Sequence, residues 1–241
     1  GPAAGRTLTD LVRLWGTRLL GRTRPMPGGR FPLLLKLLDA NDVLSLQVHP
    51  DERAVAEIGP EADLKTECWY ILESRNGFLY KGVRPGVTAE QFRRAIETDT
   101  VEQCVRRVNV AAGDFHYLPA GMVHAIGRGV VLAEVQTPSD TTYRVTDWGR
   151  GREIHVQRSL QCIRYDLTGE PPPGAGGETL LETAYFRVAR REAAGPMPAP
   201  LPTRRCAAVM VLEAHAACIA HEGAIEAELP VGPGDTVLLP A

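Results

Sequence analysis

The chain has 241 residues, of which 44% are hydrophobic, and its 27 Lys and Arg residues nearly balance 29 Asp and Glu residues. A formal net charge of -2 excludes the broad positive field of proteins that wrap nucleic acid or coat anionic membranes. No apolar run approaches the roughly 18 residues of a membrane span, and five scattered cysteines without a C-x-x-C pair argue against a disulfide framework and a zinc ribbon. We therefore expect a cytoplasmic globular protein with reduced thiols.

The first predicted element is an amphipathic helix over residues 7–20, with Thr7 as its N-cap and Gly21 directly after its end. A Pro/Gly loop follows at residues 22–30, and the nearly continuous apolar run at residues 31–38 predicts a buried strand. Residues 1–30 are thus expected to be a leading helix and loop that pack on a β-domain.

Two strands in the first half carry paired polar residues. Gln47 and His49 lie two residues apart on a strand that ends at Pro50, so they share one face, although a plain polar outer face explains the pair equally well. Lys65 and Glu67 likewise share a face of the strand over residues 65–72, and a solvated edge is the alternative.

The stretch over residues 113–127 predicts a strand, a glycine turn and a second strand. His124 lies just past the turn Pro119-Ala-Gly121. A neutral imidazole on a rigid strand is well placed to bind a metal, whereas a lone histidine in a hairpin is more often an ordinary surface or core residue.

Two helices are predicted as an insertion before this stretch: residues 88–96, where Thr88 and Gln91 form a capping box, and a short helix near residues 100–106. After it come a strand over residues 129–136 with Glu134 and a strand within residues 139–147 with Arg144. An acid and an arginine are costly to bury unless they are paired or used in chemistry.

The proline and glycine run at residues 171–177 predicts a boundary. The ending Gly234-Asp-Thr-Val-Leu-Leu-Pro240 repeats the spacing of Gly113-Asp-Phe-His-Tyr-Leu-Pro119, which indicates a weak internal duplication. His215 and His221 lack the two-residue spacing of a ligand pair, so no metal is expected in the second copy. The predicted domains are a metal-binding barrel at residues 31–165, a linker at residues 166–179 and a metal-free barrel at residues 180–241.

Four motifs occur in order: Gln47-Val-His49-Pro, Lys65-Thr-Glu67-Cys-Trp-Tyr, Pro119-Ala-Gly-Met-Val-His124 and Ser139-Asp-Thr-Thr-Tyr-Arg144. Together they resemble the type I mannose-6-phosphate isomerases of the cupin superfamily, and the resemblance covers most of residues 31–150. It implies a mainly β fold with two cupin-type jelly-roll β-barrels and a few inserted or leading α-helices.

The resemblance also implies one Zn²⁺ per chain, with the four metal ligands Gln47, His49, Glu67 and His124. The implied catalytic residues are Lys65, Glu134 and Arg144, of which Lys65 and Arg144 also bind the phosphorylated hexose. The implied reaction interconverts mannose 6-phosphate and fructose 6-phosphate through an enediol(ate), in a monomeric enzyme.

Several points stay open at this stage. Glu134 is the first candidate for the general base, and Lys65 and a metal-bound water are its rivals. A cupin that keeps the metal and binds a sugar or sugar phosphate without turnover is the alternative to an enzyme. An iron cupin that uses oxygen is disfavoured, because such sites present two histidines and one carboxylate without an added glutamine.

Overall fold

The structure is a computed structural model that describes residues 3–170, 177–195, 204–215, 217–220 and 228–241. Residues 171–176 of the proline and glycine run and His221 lie outside these described residues. The chain divides into two compact units, one made of Gly1–Pro32 with Ala193–Ala241 and the other of Leu33–Glu192. The predicted domain boundaries stay a prediction.

Short strands and a smaller number of short helices follow one another along the chain. The α-helices are α1 (Leu8–Trp15), α2 (Thr17–Leu20), α3 (Glu52–Ile58), α4 (Ala89–Glu97) and α5 (Val156–Cys162), and two 3-10 helices lie at Pro27–Gly29 and Val101–Cys104. The strands are β1 (Leu34–Ala40), β2 (Leu46–Val48), β3 (Glu67–Ser74), β4 (Phe78–Val83), β5 (Val105–Asn109), β6 (Phe115–Leu118), β7 (His124–Ile126), β8 (Val130–Gln136), β9 (Tyr143–Thr146), β10 (Thr179–Glu182), β11 (Arg187–Ala189), β12 (Ala207–Met210), β13 (Ala217–Ala220), β14 (Glu228–Val231) and β15 (Thr236–Leu239).

The predicted class, mainly β with few helices, is confirmed and is consistent with a cupin-like fold. In the larger unit, two antiparallel sheets have the strand orders β1-β8-β3-β6 and β5-β4-β7-β2-β9. Across the described residues, strand hydrogen bonds do not join these sheets into one closed barrel.

Among the described residues, the core of the larger unit includes a cluster between the two sheets, a cluster on the outer face of the five-stranded sheet and a smaller one around Cys68 and Leu181. Trp69, Leu132 and Leu79 belong to the inner cluster, which takes members from both sheets. The outer cluster joins the five-stranded sheet to helices α3, α4 and α5, for example through Val48 and Phe92. The inner faces of the two sheets therefore surround any buried polar side chain with apolar ones.

Helix ends follow the predicted caps, with one correction. Thr7 and Thr88 each form the capping box expected at a helix start. The single helix predicted over residues 7–20 is wrong, because Gly16 has a φ of 49° and divides the segment into α1 and α2.

In the smaller unit, the leading helices lie beside the chain's C-terminal strands. The amide of Ala241 donates to the carbonyl of Leu19, and Gly21 forms an isolated β-bridge with Arg205. Strand β12 pairs with β15, and β13 with β14. No helix among the described residues combines the length and apolar character needed to cross a membrane.

Candidate metal centre and active site

The register of the five-stranded sheet places three of the predicted site residues side by side. Gln47 of β2 lies directly opposite His124 of β7 and is matched on its other side with Arg144 of β9. Directly opposite residues of antiparallel strands project from the same face of a sheet. The backbone pairing alone therefore brings Gln47, His124 and Arg144 to one face.

The four-stranded sheet supplies the second group. Glu67 of β3 lies opposite Gln136 of β8, and Trp69 lies opposite Glu134, which is in turn opposite Lys36 of β1. Glu67 and Trp69 are two residues apart and share a face of β3. Their partners Gln136 and Glu134 therefore point to the same side of the sheet. That side is the interior, since Glu67, Trp69 and Glu134 are all buried.

His49, Glu67 and His124 converge on one point inside the larger unit, and their candidate ligand atoms all lie within 4.8 Å of one another. His49 Nε2 lies 3.4 Å from Glu67 Oε2, and His124 Nε2 lies 3.1 Å from Glu67 Oε1. All three side chains are at most 2% exposed. Two imidazoles and a carboxylate in this arrangement form the donor set that Zn²⁺ takes up in proteins.

The second ring nitrogen of each histidine fixes the form of the imidazole. His49 Nδ1 lies 3.0 Å from the carbonyl of Thr141, and His124 Nδ1 lies 2.9 Å from the carbonyl of Met122. A carbonyl can only accept, so each Nδ1 carries the proton and each Nε2 presents its lone pair towards Glu67. Histidines that bind metals are oriented by the same kind of hydrogen bond.

The buried atoms at this point lack partners of their own. His49 Nε2 and both carboxylate oxygens of Glu67 are shielded from solvent and form no hydrogen bond. Buried polar atoms without partners are rare and costly in proteins, and a divalent cation would satisfy all three at once. Burial lowers the pKa of His49 to about 4, although Glu67 opposes the effect, so the imidazole is neutral and able to bind a metal.

Gln47 completes the cluster from the neighbouring strand. Its amide Nε2 lies 3.4 Å from His124 Nε2. A half-turn of the amide group exchanges its nitrogen and oxygen, which brings the carbonyl oxygen to the same place. The residues present therefore fit a divalent metal with two nitrogen and two oxygen donors.

Glu134 lies in the same interior with two donors on its carboxylate. Lys36 Nζ donates to Oε1 at 2.7 Å, and the indole N–H of Trp69 donates to Oε2 at 2.9 Å. Burial raises the pKa of Glu134 above its ordinary value, the Glu67 carboxylate adds to this, and Lys36 opposes both. A carboxylate that is oriented on both oxygens and has a raised pKa can act as a general base and then as a general acid.

The two remaining predicted residues are the cations Lys65 and Arg144. Lys65 is buried, and its Nζ lies 3.5 Å from Glu67 Oε2. Arg144 shares the face of Gln47 and donates through Nη1 to the carbonyl of Glu153 at 3.3 Å, while its buried Nε has no hydrogen-bond partner. The structure thus shows the position of both cations, and their roles stay predictions.

Lys36 is the site residue that the sequence reasoning missed. Its Nζ donates to Glu134 Oε1 and, at 2.6 Å, to Gln136 Oε1. Lys36 interrupts the otherwise apolar run of β1, and a single lysine in a strand expected to be buried was the available signal. The hydrogen bond from Trp69 to Glu134 was not foreseen either.

A buried cluster of two histidines and a glutamate between antiparallel sheets defines a metal-binding protein of the cupin-like class. The family model "Phosphomannose isomerase type I, catalytic domain" matches residues 9–76. Mannose-6-phosphate isomerase ManA of Bacillus subtilis is 39% identical over 184 residues, which cover 70% of this chain and 58% of that protein. Mannose-6-phosphate isomerase of Streptococcus mutans is 37% identical over 177 residues, which cover 68% of this chain and 56% of that protein.

The solved structures show the same relationship. The crystal structure of mannose 6-phosphate isomerase from Bacillus subtilis superposes with a TM-score of 0.81 and 28% identity, over 100% of this chain and 78% of that one. The predicted resemblance to the type I phosphomannose isomerases is therefore confirmed. The chain spans 58% and 56% of the length of the two curated relatives from Bacillus subtilis and Streptococcus mutans.

Proposed function

We propose that this chain is a zinc-dependent aldose–ketose isomerase that interconverts mannose 6-phosphate and fructose 6-phosphate. The observation that carries the proposal is the convergence of His49, Glu67 and His124 in the same interior as Glu134, a carboxylate with a raised pKa. The names of the relatives supply the substrate, and one solved relative is described as zinc bound.

One Zn²⁺ per chain is proposed, held by Gln47, His49, Glu67 and His124. When bound, zinc supplies Lewis-acid polarisation of the sugar's carbonyl and hydroxyl oxygens. The reaction itself moves one proton from C2 to C1 of the open-chain sugar and one proton from the hydroxyl on C2 to the oxygen on C1.

In this proposal Glu134 is the general base and removes the C2 proton of mannose 6-phosphate. The same carboxylic acid then returns a proton to C1 as the enediol collapses to the ketose. Lys36 and Trp69 hold the two carboxylate oxygens in place, so the base keeps one orientation throughout. Lys65 and a metal-bound water are the rivals for the role of base.

The two cations are assigned to the anionic groups of the substrate and of the intermediate. Lys65 lies in the interior beside the metal ligands, where an ammonium would stabilise negative charge that develops on the enediolate. Arg144 is proposed to bind the phosphate or the enediolate, because a guanidinium offers two parallel donors to such a group. Two cupin-type barrels, of which the second is metal-free, a monomeric state and a cytoplasmic location complete the proposal.

The decisive experiment combines metal analysis with isotope exchange. The protein is purified without added metal, its zinc content is measured by mass spectrometry, and mannose 6-phosphate is followed by proton NMR in D₂O. We expect close to one zinc per chain, formation of fructose 6-phosphate and exchange of the C2 proton. A protein that contains zinc but neither forms ketose nor exchanges this proton is instead a cupin that binds sugar without turnover.

A further inference from the structure

A cavity lies on the outer face of the five-stranded sheet, away from the metal cluster. Tyr80 lies opposite Ala125, and the next pair along the ladder is Lys81 with His124. Successive residues of a strand point to opposite faces, so Tyr80 lies on the side of the sheet opposite to His124. The cavity has a volume of about 500 Å³, within the usual range for small-molecule sites.

Three aromatic side chains form one wall of this cavity: Phe78, Tyr80 and Trp148. The ring centroids of Phe78 and Tyr80 are 5.4 Å apart at an interplanar angle of 80°, and those of Tyr80 and Trp148 are 5.7 Å apart at 35°. Such spacings are those of interacting aromatic pairs. The wall is therefore a continuous apolar surface and not three isolated rings.

Each ring in the wall is held in place. The hydroxyl of Tyr80 donates to Glu102 Oε1 at 2.5 Å, and the indole N–H of Trp148 donates to the carbonyl of Leu44 at 2.8 Å. The guanidinium of Arg107 lies 3.9 Å from the centre of the Phe78 ring. Because the polar ends are already bonded, a ligand would meet a preorganised surface and would lose little affinity to ordering it.

The backbone of Trp148 is strained. Its φ is 55°, in the left-handed region that bulky side chains rarely adopt, and its amide donates to Thr146 Oγ1 at 3.2 Å. Residues held in this region cluster at ligand-binding and other functional sites. Trp148 is partly buried: it packs against the outer core cluster and also lines the cavity.

The rim of the cavity carries balanced charges. Asp42 and Glu102 are acidic, whereas Arg128 and Arg150 are basic. The guanidinium of Arg150 is bonded to Asp147 and to the carbonyl of Val43 and lies 3.6 Å from Asp42 Oδ2 of the rim. Arg128 forms no hydrogen bond or ion pair with any residue that the structure describes. The rim therefore offers donors and acceptors to hydroxyl groups without a net charge that selects an anion or a cation.

We propose that this cavity is a binding site for a neutral sugar ring. The apolar C–H face of a pyranose would lie on Trp148, the most accessible of the three rings because Phe78 and Tyr80 are buried, while its hydroxyl groups would bond to the carboxylates and guanidinium groups of the rim. The two acidic and two basic rim residues give a charged ligand of either sign no net attraction. The proposal does not depend on the isomerase activity and would stand without it.

The test uses methyl α-mannopyranoside, a neutral ring whose blocked anomeric carbon cannot open to a reactive aldehyde. Binding to the metal-stripped protein is titrated by saturation-transfer NMR, so that sugar held at a metal ion does not contribute. The test variant is Trp148→Asn, because asparagine tolerates the left-handed backbone and its folding is then favoured. Trp15→Asn, which changes a tryptophan of the smaller unit, is the matched control.

We expect saturation transfer to the glycoside in the unchanged protein and in Trp15→Asn, and at least about tenfold weaker binding in Trp148→Asn, measured well below the unfolding midpoint of each variant. Equal binding to Trp148→Asn would overturn the proposal, and so would no saturation transfer to the unchanged protein. Adenosine monophosphate serves as a planar anion in the same assay. Its preferential binding, lost in Trp148→Asn, would show a nucleotide site and would also refute the neutral sugar.

Discussion

Replacement of Lys36 by methionine tests whether Glu134 works as a base whose ionisation the protein controls. The substitution keeps an unbranched side chain but removes the ammonium that donates to Glu134 Oε1 at 2.7 Å and to Gln136 Oε1 at 2.6 Å. Loss of a hydrogen bond to a charged group costs about 1.5–3 kcal/mol. Because the Lys36 side chain is 35% exposed, water replaces part of the interaction, and the lower end of this range applies.

The direction of the change in the pKa of Glu134 follows from the protonation state that Lys36 stabilises. An ammonium favours the ionised carboxylate, so its removal raises the pKa of Glu134 further above the ordinary value. About 1.4 kcal/mol corresponds to one pH unit. The acidic limb of the profile of kcat/KM against pH should therefore move upward by about one pH unit, while the zinc content stays the same.

The assay measures kcat/KM for mannose 6-phosphate between about pH 5 and pH 9, with zinc analysis at each end. Lys81→Met is the matched control, because Lys81 is also a buried lysine of the larger unit but makes no hydrogen bond or ion pair with Glu134. An acidic limb that stays in place while the rate falls equally at every pH would refute the reasoning. Lys36 would then act on the substrate directly and not through Glu134.

Three further outcomes are expected. Glu134→Gln should lower kcat by about 10² or more with unchanged zinc content, as measured by steady-state kinetics and mass spectrometry. His124→Ala should remove most of the zinc while the smaller unit stays folded, as checked by metal analysis and hydrogen exchange. Burial, with Lys81 adding to it and Asp114 opposing it, lowers the pKa of His116 from 6.5 to about 4. Between about pH 4 and pH 6.5 the unfolded chain therefore binds more protons than the folded protein. His116→Phe should reduce the loss of unfolding free energy, measured by urea denaturation, between pH 7 and pH 4.5.

Each of these outcomes has a contrary result. Near-normal kcat in Glu134→Gln would transfer the role of base to Lys65 or to a metal-bound water. Full zinc occupancy in His124→Ala would show that the ion is held elsewhere. An unchanged dependence of stability on pH in His116→Phe would mean that His116 titrates normally in the folded protein.

The two-residue period of a strand was enough to predict which neighbours in the chain share a face. It paired Gln47 with His49 and Lys65 with Glu67, and of these residues His49 and Glu67 meet at the buried cluster. Capping boxes at Thr7 and Thr88 were also readable, since an N-cap and its partner lie three residues apart. These are local relations, and local sequence contains them.

Contacts between distant strands were not readable in this way. Lys36 and Glu134 are 98 residues apart, and only the register of β1 against β8 brings them together. A shift of that register by one residue would turn Lys36 to the other face. The sequence showed a lysine in an apolar strand, and the tertiary structure decided what it bonds.

The aromatic cavity shows the same division. The sequence contains Phe78, Tyr80 and Trp148 in two distant segments and gives no sign that they form one wall. Their proximity depends on the order of strands in the five-stranded sheet and on the left-handed backbone of Trp148. The sequence alone therefore determined the strand faces, the helix starts and the motifs of the metal site. Only the tertiary structure decided which of those faces meet, because strand pairing is set by packing across the whole domain.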